Sequence, residues 1–188
     1  ARPAYKEPQP EYKFQKNEDF QHYIDFVHAQ IQELLTQYGP ISGLWLDPIM
    51  GYYARPDLFP IEQTYALIRR LQPACLIAFK QGANGDEDFV APERTPRAHP
   101  RGGEVARRAW ELNQGKPIEI CDTLQERAWG YQKDVRHRSA DEVMKMLEQA
   151  QSVGANLLLN TGPLPDGSIH PEDVKTLREV GKRLRRKG

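Results

Sequence analysis

Four short apolar runs, separated by amphipathic stretches, limit what this chain can fold into more than any other feature. The runs cover residues 41–47, 74–79, 118–121 and 157–159. Runs that are apolar throughout suit strands covered on their faces by helices, which is the setting of parallel sheets. The longest amphipathic stretch opens at Asn17. It places Phe20, Tyr23, Ile24, Val27, Ile31, Leu34, Leu35 and Tyr38 at helical spacing, and Gly39-Pro40 ends it. A second helix is predicted near 60–71, with Ile61, Tyr65, Ile68 and Leu71 on one face. Ser139 and Glu142 form a capping-box pair at the start of a third, which Gly154 stops. Pro171 opens the last, with Val174, Leu177, Val180 and Leu184 inward. Residues 1–16, polar with three prolines, read as a loop or linker. Residues 80–116, rich in glycine, proline and charge, read as one long loop. The order α-β-α-β-loop-β-loop-α-β-α predicts an α/β fold of about four parallel strands with covering helices. Four such strands suit a small open sheet or part of a barrel.

Length and charge narrow the possibilities. At 188 residues the chain suits one compact domain, whereas a complete eight-unit barrel needs about 250. Lys plus Arg and Asp plus Glu both number 26, and a zero net charge argues against a general nucleic-acid binder. No apolar run approaches the ~18 residues of a membrane span. Cys75 and Cys121 each lie in a strand-like run and read as buried thiols. The five histidines are scattered, and neither they nor the cysteines follow a metal-ligand spacing. The N-terminus has no apolar signal core and no starting Met, so it does not reveal the compartment.

The chemistry is expected at the C-terminal ends of the strands. The first strand ends in Trp45-Leu46-Asp47, and alternation puts Trp45 and Asp47 on one face. A flat ring beside a carboxylate suits a sugar, whose apolar face it covers. An Asp at a strand end also serves commonly as a turn former. The loop after the second strand holds Asp86, Glu87, Asp88 and Glu93. These read either as a solvated acidic loop or as the source of a general acid. A retaining glycosidase needs two carboxyl groups about 5–5.5 Å apart, one nucleophile and one acid/base.

Several segments together resemble one family. Residues 38–47, Tyr-Gly-Pro-Ile-Ser-Gly-Leu-Trp-Leu-Asp, are similar to the nucleophile segment of the retaining α-L-fucosidases, glycoside hydrolase family 29. Residues 88–93, Asp-Phe-Val-Ala-Pro-Glu, resemble their acid/base loop. Residues 118–121 followed by Trp129-Gly130-Tyr131, and residues 156–163 followed by Pro165-Asp166-Gly167, resemble later segments in the same order. The resemblance implies Asp47 as nucleophile and Glu93 as acid/base, with Asp86, Glu87, Asp88 and Glu119 as further candidates for the second role. It places Trp45 and Trp129 around the sugar. Lys80 stands where many members carry an arginine that reaches a sugar hydroxyl or the nucleophile, and a lysine cannot make the bidentate fork. The implied partner is a fucosylated oligosaccharide or glycoconjugate. The implied chemistry needs no cofactor and no metal, and the implied compartment is secreted, periplasmic or lysosomal.

Nothing in the chain resembles the histidine-bearing first strands of that family. The sequence therefore predicts the C-terminal part of a catalytic barrel over 17–188. Such a part has open edges that admit self-association. Leu44, Leu46, Ile77 and Leu158 are expected on its uncovered inner face. The competing expectation is a catalytically incomplete half-barrel that serves as a glycan-binding or structural module, and a third is a glycosidase acting on another sugar.

Overall fold

The computed structural model describes residues 17–47, 49–126 and 128–185. The linker expected over 1–16 lies outside these. The chain divides into two compact units. One is built from residues up to 90 together with 97–116, the other from 91–96 together with residues from 117 onward.

The first unit opens with helix α1 (Asn17–Gln37), which leads into strand β1 (Gly43–Leu46). Phe20, Ile24, Ile31 and Leu35 of α1 are buried. Tyr23, Leu34 and Tyr38, expected in the same stripe, are exposed. Tyr23 and Leu34 each lie about 100° round the helix from a buried neighbour, and Tyr38 falls beyond the end of α1, so the packed stripe is narrower and shorter than the sequence suggests. Gly39 turns the chain with φ +77, a conformation glycine adopts without steric cost. Helices α2 (Ile49–Ala54) and α3 (Ile61–Leu71), with a 3₁₀ turn at Pro56–Leu58, lead to strand β2 (Leu76–Phe79). β1 and β2 pair in parallel, with Gly43 opposite Leu76 and Leu46 opposite Phe79. Ile61, Tyr65 and Ile68 of α3 pack with the buried α1 residues, Ile77 and Phe79 in one cluster. Each large apolar side chain so buried stabilises the fold by about 1.5–3 kcal/mol.

Three of the four residues expected on an uncovered inner face lie elsewhere. Leu44 and Leu46 pack against the helical cluster, and Ile77 is fully buried within it. Trp45 and Leu76 occupy the exposed face instead. The expected loop over 80–116 also contains helix α4 (Gly103–Leu112). Its buried contacts are Ala106 and Ala109, so it carries no large apolar stripe for a periodicity reading to find.

In the second unit, strand β3 (Glu119–Thr123) pairs in parallel with β4 (Asn156–Asn160), Glu119 opposite Asn156 and Thr123 opposite Asn160. Both strands run past the ends read from the sequence, Cys121 and Leu159. Residues 92–94 lie beside β3: Cys121 N donates to Pro92 O and Arg94 N to Cys121 O, both at 3.0 Å. Helices α5 (Ala140–Ser152) and α6 (Pro171–Arg185) cover the pair. Leu159 packs with Val143, Met144 and Val180, and Leu157 with Ile120 and Ala150. Leu158 is exposed, as expected of the opposite face. A polar knot is buried here as well. His137 Nδ1 lies 2.7 Å from Asp173 Oδ1, and the Thr161 hydroxyl donates to Asp173 Oδ2.

The capping box is formed as predicted. Glu142 N donates to the Ser139 hydroxyl and Ser139 N to the Glu142 carboxylate. Arg136 first, then the Ser139 backbone, holds the Glu142 carboxyl down at about 2. Ser139→Ala is expected to lower unfolding stability by about 1 kcal/mol, measured by denaturant titration. An unchanged midpoint would mean that the cap contributes nothing.

Candidate active site

Strand alternation turns Leu44 and Leu46 inward and leaves Trp45 and Asp47 on the other face of β1. Lys80 follows the last residue of β2, directly across the pair. Its ammonium lies 3.1 Å from Asp47 Oδ1 and 5.2 Å from the centre of the Trp45 ring. Lys80 is 5% exposed, whereas the Asp47 side chain is 54% exposed. A buried cation therefore presents a solvent-facing carboxylate beside an open aromatic ring. The Lys80 backbone has φ +36, which is uncommon for a residue with a side chain. The strand-end turn thus adopts a strained conformation at the point where the ammonium is delivered. Three sequence-predicted residues, Trp45, Asp47 and Lys80, come together here.

The remaining candidates of the first unit are occupied structurally. Glu87 is 2% exposed. It accepts hydrogen bonds from the Tyr65 hydroxyl and Ala83 N, both at 2.7 Å, from Asn84 N at 3.3 Å and from Gly85 N at 3.0 Å. Burial, then the Glu87 charge, pushes the Tyr65 hydroxyl well above its ordinary range. Asp88 accepts from Ile77 N at 2.6 Å and pairs with Arg69 at 2.7 Å. Asp86 is exposed and takes part in a turn with Asn84.

Glu93 and Trp129 belong to the second unit. Glu93 is half-buried and bridges to Cys121 in parallel pairing. Trp129 is 41% exposed. Its carbonyl accepts from Asn160 Nδ2 at 2.8 Å, and the same nitrogen donates to Thr123 Oγ1 at 3.1 Å. Glu119 accepts from Asn156 Nδ2 at 3.1 Å across the strand pair. Asn160 and Thr123 were not singled out as site residues from the sequence. The available signal was a polar residue ending each apolar strand. Among the described residues, no group of three or more His, Cys, Asp or Glu side chains is placed to hold a metal ion. Among them, too, no helix is long and apolar enough to cross a membrane.

The four hydrogen bonds to Glu87 imply a stabilising role. Glu87→Gln is expected to cost about 1–3 kcal/mol of stability, because with the amide oxygen in the Oε1 place the nitrogen still meets Gly85 N–H, a donor it cannot accept from, and the charge on the remaining bonds is lost. Thermal unfolding measures this. Activity per folded molecule should be unchanged, and its loss would return Glu87 to the list of chemical groups.

Known proteins supply the wider frame. The family described as Alpha-L-fucosidase matches residues 2–188. An α-L-fucosidase of Branchiostoma floridae is 36% identical over 73 residues, covering 37% of this chain and 16% of its own. Alpha-L-fucosidase 1 of Arabidopsis thaliana is 27% identical over 175 residues, covering 85% of this chain and 34% of its own. Among solved structures, α-L-fucosidase isoenzyme 1 from Paenibacillus thiaminolyticus superposes with a TM-score of 0.68 at 30% identity, covering 96% of this chain and 41% of that one. The chain thus spans about a third or less of these curated relatives. With the family matched over nearly its whole length, the chain belongs to the α-L-fucosidase family of glycoside hydrolases.

Proposed function

We propose that this chain carries the nucleophile and the acid/base of a retaining hydrolase of terminal α-L-fucosides, and that 17–188 is the C-terminal part of its catalytic barrel. The observation that carries the reading is the cluster of Asp47, Lys80 and Trp45 at the strand ends. Its support comes from the family match and from relatives that are named as fucosidases. In the first unit the face of the strand pair that bears Trp45 and Leu76 is exposed, and in the second unit Leu158 is exposed on β4; strand faces left open in this way support completion by further residues of a whole barrel.

The chemistry follows from the residues. Lys80 holds Oδ1 of Asp47, so Oδ2 attacks the anomeric carbon. The bond from that carbon to the leaving oxygen breaks as Glu93, as a carboxylic acid, gives this oxygen a proton. A fucosyl ester on Asp47 results. The Glu93 carboxylate then takes a proton from a water whose oxygen attacks the same carbon, and Asp47 departs as a carboxylate. The Lys80 ammonium stabilises the charge that returns to Asp47 in this second step. Trp45 covers an apolar face of the sugar.

Two outcomes test the assignment in the whole protein. Asp47→Gly should abolish turnover of an aryl α-L-fucoside, and azide should partly restore it by replacing the carboxylate. Near-normal activity in that variant would rule Asp47 out. Glu93→Ala should slow substrates with poor leaving groups by about 10²–10⁴-fold and activated aryl fucosides far less, because only the former need the proton. Equal losses on both would move the role to another carboxylate.

A further inference from the structure

The turn that bears Trp129 is docked on the end of β4 by two independent features. The first is a set of hydrogen bonds. Asn160 Nδ2 donates to the Trp129 carbonyl at 2.8 Å and to Thr123 Oγ1 at 3.1 Å, and the Thr123 hydroxyl donates to Ala128 O at 2.9 Å. Two consecutive carbonyls of the turn, those of Ala128 and Trp129, are therefore tied to the last residues of β3 and β4. The second feature is steric. A Cβ on Gly162 would lie 2.6 Å from the Gly130 carbonyl carbon and would also meet the Tyr131 backbone nitrogen. Backbone lies against backbone here, and only glycine permits that approach. Neither feature touches the indole itself, so both fix where the ring stands rather than what it contacts.

We propose that Asn160 and Gly162 are positioning residues for sugar recognition, acting through the Trp129 turn. This rests on the reading of Trp129 as a sugar-contacting ring. Asn160 acts through its donor pair, and Gly162 acts through the absence of a side chain. Loss of either lets the turn shift off the strand ends and moves the ring away from its place over the substrate.

A double-mutant cycle in the whole protein tests this, with 4-nitrophenyl α-L-fucoside as substrate and the thermal unfolding midpoint measured in parallel. Asn160→Ala should raise KM roughly tenfold, the scale of one or two lost hydrogen bonds, and Gly162→Ala should raise it to a similar extent by forcing the turn off the strand end. In a Trp129→Ala background neither should raise it further, because residues that act as one unit are not additive. A purely structural role would lower the midpoint and the apparent kcat through loss of folded protein, without moving KM. Asn160→Asp, isosteric but without the two donors, should match Asn160→Ala and serves where the alanine variant does not fold. Increments that persist in the Trp129→Ala background would overturn the proposal. So would a KM raised by Trp129→Ala but untouched by the other two. A neutral Trp129→Ala would instead remove Trp129 from the sugar site, and the proposal would fall with that reading.

Discussion

Side chains on a strand alternate between its two faces, and in this protein that alternation divides packing from chemistry. On β1, Leu44 and Leu46 join the helical cluster while Trp45 is exposed. On β4, Leu157 and Leu159 pack under α5 and α6, while Leu158 is exposed and Asn160 reaches the Trp129 carbonyl. A slip of one residue in either strand would exchange the two sets. It would push Asp47 toward the apolar cluster and expose Leu46. The hydrophobic face therefore specifies the register, and the register delivers the carboxylate.

Lys80 ties the same geometry to stability. A buried ammonium loses its hydration and is tolerated only with a partner. Here the partner is the candidate nucleophile, with the Trp45 ring adding a favourable face. Removing Asp47 takes an opposite charge away from a buried ammonium, so a change aimed at the chemistry also acts on the fold. Glu87 is the opposite case. It is a carboxylate of the acidic loop after β2, yet its acceptor capacity is taken by Tyr65 and three turn N–H groups.

Much of this was legible in the sequence. The four strands, the capping box and helices α1, α3, α5 and α6 follow from hydrophobic runs and cap chemistry, whereas α2 was not marked by either. The proximity of Trp45 and Asp47 follows from alternation alone. Helix α4 was not legible, because its buried residues are both alanine and it sits within a stretch rich in glycine, proline and charge. The placement of Leu44, Leu46 and Ile77 on the uncovered face failed because a continuously apolar strand does not declare which face meets the helices. Asn160 escaped notice because its partners, Thr123 and Trp129, are 37 and 31 residues away, and no local spacing signals such a contact.

The chain does not pass through its two compact units in sequence. Residues 91–96 leave the first and pair beside β3 in the second, and residues 97–116 return to the first. No single cleavage can release either unit as an uninterrupted chain. A protease nick just after Pro96 would leave each unit split between two polypeptides, with Glu93 on the piece that carries residues up to 90 of the first unit. Each unit therefore takes in two stretches of chain with a segment of the other between them. Unfolding should accordingly couple the two units into one cooperative event rather than two separate melts.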